Sequence, residues 1–72
     1  MKKINKIKIK LNGKYIKIKD EITLFNLLKK TKVPLNKVAI ELNEKIVNKK
    51  MLSKIKLKKN DKIEIVHFIG GG

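Results

Sequence analysis

Cysteine, tryptophan and arginine are absent from the 72 residues, and proline, serine, histidine and tyrosine occur once each. Without cysteine there is no disulfide staple, no thiolate zinc site and no nucleophilic thiol. The fold must therefore rest on an apolar core alone. A chain this short buries only about 60% of the surface that its unfolded form exposes, which leaves one small domain and little room for a deep catalytic cleft. No apolar run approaches the roughly 18 residues of a membrane span. The start, Met1-Lys2-Lys3-Ile4-Asn5-Lys6, has no hydrophobic region of signal-peptide length. The expectation is a cytoplasmic protein with no membrane partner.

Acidic residues are also scarce, six against twenty basic ones, for a net charge of +14. Such a balance attracts polyanions, and nucleic acid is the first class to weigh. Every basic residue is lysine, whereas phosphate and base recognition favours the bidentate fork of arginine. The three aromatics, Tyr15, Phe25 and Phe68, are too few and too scattered for a base-stacking platform. Lys, Ile and Asn, all with A/T-rich codons, make up 39 of the 72 residues, a compositional source for the lysine excess. These features argue against nucleic acid. A small basic nucleic-acid-binding domain, with Lys6, Lys8, Lys17 and Lys19 as a phosphate-facing stripe, is the alternative from a different class.

Ile7, Ile9 and Leu11 alternate with Lys6, Lys8 and Lys10, the period of a strand with one buried face. Asn12-Gly13 then signals a type I′ hairpin turn, because both central residues need positive φ. That turn sets Leu11 opposite Lys14, Lys10 opposite Tyr15, Ile9 opposite Ile16 and Ile7 opposite Ile18. The other face then opposes Lys8 to Lys17 and Lys6 to Lys19. Thr23 is a good N-cap for a helix over 24–31, whose Leu24, Leu27 and Leu28 form one apolar stripe. Lys29 and Lys30 suit its negative end, and Pro34 stops it. Val38, Ile40 and Leu42 make a third strand, turned at Asn43-Glu44 into a brief fourth around Ile46 and Val47. The lysine-rich stretch 48–59 reads as irregular. Asn60-Asp61 turns into a last strand over 63–69, with Ile63 and Ile65 on one face and Glu64, Val66 and Phe68 on the other. A strand apolar on both faces lies inside a sheet or meets a partner. The class is α+β, a mixed sheet of four to five strands with one helix across one face.

Catalytic chemistry is hard to assemble from these residues. No two of the six carboxylates are brought together by local spacing, as general acid and base work requires. His67 has no neighbouring ligands for a metal and reads as a strand histidine. Ser53 has neither a strand-to-helix elbow nor a nearby base, and no phosphate-binding glycine loop precedes the helix. The reading is that the chain is not an enzyme and holds no metal. What remains is its end, where Val66-His67-Phe68-Ile69 runs into Gly70, Gly71 and Gly72. Glycine lets another surface approach the main chain closely, so the tail suits a narrow slot. Extended chain spans about 3.3 to 3.6 Å per residue, which sets the Gly72 carboxylate roughly 10 Å beyond the domain. Residues 1–69 form the domain and residues 70–72 a flexible glycine tail.

The order and spacing of these pieces resemble the ubiquitin-like β-grasp sulfur carriers, most closely the ThiS carriers of thiamine biosynthesis. The resemblance rests on Asn12-Gly13 in the first hairpin, Thr23-Leu24-x-x-Leu27-Leu28, and Val38-Ala39-Ile40-x-x-Asn43 followed by Ile46-Val47. It continues through Leu57-x-x-Asn60-Asp61-x-Ile63-Glu64-Ile65-Val66 and closes with Phe68-Ile69-Gly70-Gly71-Gly72. It implies a β-grasp fold and a protein substrate, with Gly72 as the site of adenylation and thiocarboxylate formation, leaving a covalent 1-thioglycine. Gly70 and Gly71 would be the slim tether, and Val66, Phe68 and Ile69 the positions that dock a partner. The implied partners are an E1-like adenylating enzyme (ThiF type) that uses ATP, a thiazole synthase (ThiG type), and a sulfur donor such as a cysteine desulfurase. No cofactor is held by the carrier itself. The molybdopterin sulfur carriers share the fold and the glycine end and are the nearest alternative; Phe68-Ile69-Gly70 matches the thiamine carriers better. Two positions depart from the family pattern. Asn60 stands where glycine is frequent, and Asn48-Lys49 stands where Pro-Arg is common after the Ile-Val pair.

Overall fold

The computed structural model describes residues 5–68. Strands β1 (Lys6–Leu11) and β2 (Lys14–Lys19) pair antiparallel in the register that the Asn12-Gly13 turn dictates, from Lys6 opposite Lys19 to Leu11 opposite Lys14. Both turn residues take positive φ, +49° at Asn12 and +83° at Gly13, as a type I′ turn requires. Helix α1 (Leu24–Thr31) follows, then β3 (Val38–Leu42), β4 (Lys45–Ile46) and β5 (Lys62–His67). The five strands lie in the order β2-β1-β5-β3-β4. β5 is central, parallel to β1 and antiparallel to β3. The last segment of the chain therefore completes the middle of the sheet.

Helix α1 starts where the sequence places it. Thr23 has extended backbone, and its Oγ1 accepts a hydrogen bond from the Asn26 N–H at 3.1 Å. Lys32 ends the helix in the left-handed region at φ +60°, donating its N–H to the Lys29 carbonyl. Leu24, Leu27 and Leu28 pack against Ile9, Ile18, Val38, Ile40 and Ile63 in the buried core between helix and sheet. Each of these strand residues sits on the helix-facing side of its strand, so the intervening positions form an open second face.

The stretch read as irregular is more ordered than its composition suggests. Lys49–Lys54 forms a 3₁₀ helix that buries Leu52. The next segment runs antiparallel to the entry of α1, with Leu24 N–H donating to the Ile55 carbonyl and Leu57 N–H to the Ile22 carbonyl, both at 2.8 Å. Leu52 and Leu57 are as buried as the strand residues, and this burial orders a stretch that lacks a helical or strand period. The last strand starts one residue earlier than its apolar alternation indicates, at Lys62, and stops at His67, so Phe68 lies outside it. Ile69 lies outside the described residues.

Candidate functional site

The alternation of β5 puts Glu64 and Val66 on the open face, opposite in sense to the fully buried Ile63, and Phe68 follows directly after the strand's last residue. Val66 is 45% exposed and Phe68 51%. They stand side by side at the end of β5 that leads to the glycines. Ala39 faces Val66 across the β3–β5 ladder, and Glu41 faces both Glu64 on β5 and Ile46 on β4. Ile46 is 76% exposed at the sheet edge. The backbone remains bonded up to the tail, since the Phe68 N–H donates to the Lys37 carbonyl at 3.1 Å. Val66 and Phe68, two of the positions expected to dock a partner, are thus both exposed apolar side chains at this end of the sheet.

Lys49 Nζ lies 5.5 Å from the centre of the Phe68 ring, within range of a cation–π attraction. In the sequence alone, Lys49 is a departure from the family pattern and Ile46 a strand residue. The signal for Ile46 was available: a two-residue edge strand covers little of its own side chains. Lys49 carried no local signal, because its partner is nineteen positions away.

β5 is gripped on both sides by asparagines from the two hairpin turns. Asn12 Oδ1 accepts from the Ile65 N–H at 2.8 Å, and its own N–H donates to the Ile63 carbonyl. Asn43 Oδ1 accepts from the Lys62 N–H at 2.9 Å, and its Nδ2 donates to Asp61 Oδ1 at 3.0 Å. Asp61 Oδ2 in turn accepts from the Lys58 N–H. Asn60 adopts φ +71°, a region that asparagine enters more readily than most residues, so the departure from glycine leaves this turn intact.

His67 is exposed on the other side of β5, opposite Val38, and Ser53 is exposed on the 3₁₀ helix. Among the described residues, no three of His, Asp and Glu come together as a metal-binding set. Among them, too, no helix is long and apolar enough to cross a membrane. Gly70, Gly71 and Gly72 lie outside the described residues, as does Ile69.

Residues 6–72 match the model of the ThiS family. The sulfur carrier protein ThiS of Bacillus subtilis is 40% identical over 65 residues, covering 89% of this chain and 98% of that protein. The thiazole synthase of Magnetococcus marinus is 39% identical over 66 residues, which are 92% of this chain and 20% of that protein. The chain thus spans about a fifth of that larger relative. Among solved structures, the thiamine biosynthesis protein ThiS from Geobacter metallireducens superposes with a TM-score of 0.81 at 26% identity, covering 92% of this chain and all of that one. The β-grasp sheet, its helix and the match of residues 6–72 to the family model lead to one conclusion: the chain belongs to the ThiS family.

Proposed function

We propose that the chain is a sulfur carrier of thiamine biosynthesis, acting as a protein substrate. The observation that carries this reading is the exposed Val66 and Phe68 at the end of β5, immediately before Ile69-Gly70-Gly71-Gly72 in a chain of this family. The folded body offers a surface to recognise, and the glycines offer a thin group to react. An E1-like enzyme of the ThiF type supplies ATP. The Gly72 carboxylate attacks the α-phosphorus, pyrophosphate leaves, and the resulting acyl adenylate carries AMP as a good leaving group.

A persulfide donor, such as that of a cysteine desulfurase, then attacks the carbonyl carbon. The C–S bond forms as the C–O bond to AMP breaks. A thiol then takes up the donor's other sulfur as a disulfide, which cleaves the S–S bond and leaves the Gly72 thiocarboxylate, a 1-thioglycine. A thiazole synthase of the ThiG type accepts that sulfur. Support for this last partner comes from the thiazole synthases in which a fifth of the chain is similar to this one.

The test is the intact mass of the chain after incubation with the adenylating enzyme of its own organism and ATP, with and without a sulfur donor. The expected result is an adenylyl adduct that converts to an oxygen-to-sulfur mass increase, both lost when Gly72 is deleted. No adduct, from an enzyme that modifies another carrier, rejects the proposal.

A further inference from the structure

We infer that Lys49 is a positioning residue, which holds the Phe68 ring ready for the adenylating partner at the root of the glycine tail; the inference rests on the carrier reading above. Phe68 is the last described residue before Ile69-Gly70-Gly71-Gly72. Its N–H donates to the Lys37 carbonyl at 3.1 Å, one position beyond the last pair of the β3–β5 ladder, Val38 with His67. That bond holds the backbone of Phe68 but not its side chain. The ring is 51% exposed, so core packing does not choose its rotamer. Lys49 Nζ, 5.5 Å from the ring centre, supplies the second hold, because an ammonium over an aromatic face is attracted by the ring quadrupole.

Lys49 can serve as a fixed point because the chain on both sides of it is anchored. Before it, the Val47 N–H donates to the Ile40 carbonyl at 2.8 Å, and Val47 packs against the core. After it, Leu52 is 2% exposed. Between these anchors Asn48 caps the 3₁₀ helix. Its Oδ1 accepts from the Lys50 N–H at 2.9 Å, and its carbonyl accepts from the Met51 N–H at 2.8 Å. Lys49 is the first residue of that helix, so its ammonium reaches the ring from a well-bonded backbone. The ion pairs among the described residues, Lys56–Glu21 and Lys62–Glu44, do not involve Lys49, and no described carboxylate draws its ammonium off the ring. A side chain that becomes ordered only on association weakens binding. A ring already held by Lys49 loses less freedom when the partner arrives. Lys49 therefore acts through Phe68, on the binding of the carrier rather than on the chemistry at Gly72.

The experiment is a double-mutant cycle read by adenylation kinetics with one enzyme. The carriers are the wild type, Lys49→Gln, Phe68→Leu and the variant with both changes, with Lys49→Arg and Lys29→Gln beside them. Lys49→Gln is expected to lower kcat/KM about threefold, carried by KM with kcat unchanged. Lys49→Arg, which keeps a cation able to lie over the ring, stays close to wild type. In the Phe68→Leu background, where no ring remains, Lys49→Gln has no further effect. Lys29 Nζ lies 6.0 Å from the centre of the Phe25 ring, a contact of the same kind placed on α1 instead of at the root of the tail, and Lys29→Gln stays close to wild type. Equal kcat/KM for Lys49→Gln and wild type overturns the inference while leaving the carrier reading standing. So does a fall that persists in the Phe68→Leu background, which would make the ammonium a direct contact of the partner. An equal fall for Lys29→Gln would make net charge the cause, and a fall carried by kcat alone would move the effect to the chemistry; either overturns it likewise. Absence of any adenylation of wild type, by an enzyme that modifies another carrier, rejects the carrier reading, and this inference with it.

Discussion

Asn12 Oδ1 accepts a hydrogen bond from the backbone N–H of Ile65 at 2.8 Å, across 53 positions of sequence. Backbone pairing between β1 and β5 runs out at Leu11 and Ile63, and the asparagine side chain carries the ladder one step further toward the tail. One residue therefore shapes the first turn and steadies the strand that presents Val66 and Phe68. Asn12→Gly keeps the positive φ and loses only the acceptor, so the expected cost is about 1 kcal/mol. Asn12→Asp keeps both features and is expected to fall within about 0.5 kcal/mol of wild type. Urea unfolding measures the two, and amide exchange at Ile65 locates the effect. Equal stability of Asn12→Gly and wild type would show that this bond contributes nothing.

Asn60 is a second test of turn chemistry. Its φ of +71° is open to glycine and asparagine and costly for a β-branched side chain, by roughly 1–2 kcal/mol. Asn60→Gly is expected to leave the thermal midpoint almost unchanged, whereas Asn60→Val lowers stability by about that amount. The turn also feeds the sheet, because the Asn60 N–H donates to the Lys8 carbonyl and the Lys10 N–H to the Asp61 carbonyl. A valine variant as stable as wild type would mean that the turn relaxes to another conformation, and chemical shifts at Lys8 and Lys10 would report it.

Lys49 should matter to the patch more than to the fold. A cation–π pair at an exposed site is worth about 0.5–1 kcal/mol, so Lys49→Gln is expected to cost no more than that. Loss of the ammonium from 5.5 Å above the ring should move the Phe68 ring proton shifts, read by NMR. Unchanged shifts would mean that the pair is not maintained in solution.

The parts of this fold that were legible in the sequence are those whose signals are local. Asn12-Gly13 fixed the hairpin register pair by pair because a type I′ turn admits one alignment of its strands. Thr23 and the spacing of Leu24, Leu27 and Leu28 delimited α1, whose observed bounds are Leu24–Thr31. The 3₁₀ helix Lys49–Lys54 was not legible. Six residues with one buried leucine have no period to read, and their order comes from Leu52 entering a core built by distant strands. At the candidate site, the face of Val66 followed from alternation alone. The bonds of Asn12 and Asn43 to β5, and the reach of Lys49 to Phe68, join residues far apart in sequence. Only the strand order brings them together.

Leu28 and Phe68 separate what holds the body from what the body displays. Leu28 is 1% exposed in the core, and truncating a leucine in such a place costs about 2–5 kcal/mol. A 72-residue domain has a total stability of roughly 4–10 kcal/mol. Leu28→Ala is therefore expected to remove about half of that stability, and to lower adenylation only in proportion to the folded fraction. Phe68 is 51% exposed, so Phe68→Ala should cost the fold less than about 1 kcal/mol while removing the largest apolar side chain of the patch. An aromatic anchor at an interface centre is worth about 2 kcal/mol or more, so kcat/KM for adenylation should fall at least about tenfold with the melting curve nearly unchanged. The paired measurement is urea unfolding and adenylation kinetics on the same two variants. If Phe68→Ala is adenylated as well as wild type, Phe68 is not an anchor, and the docking surface must be sought elsewhere on the sheet.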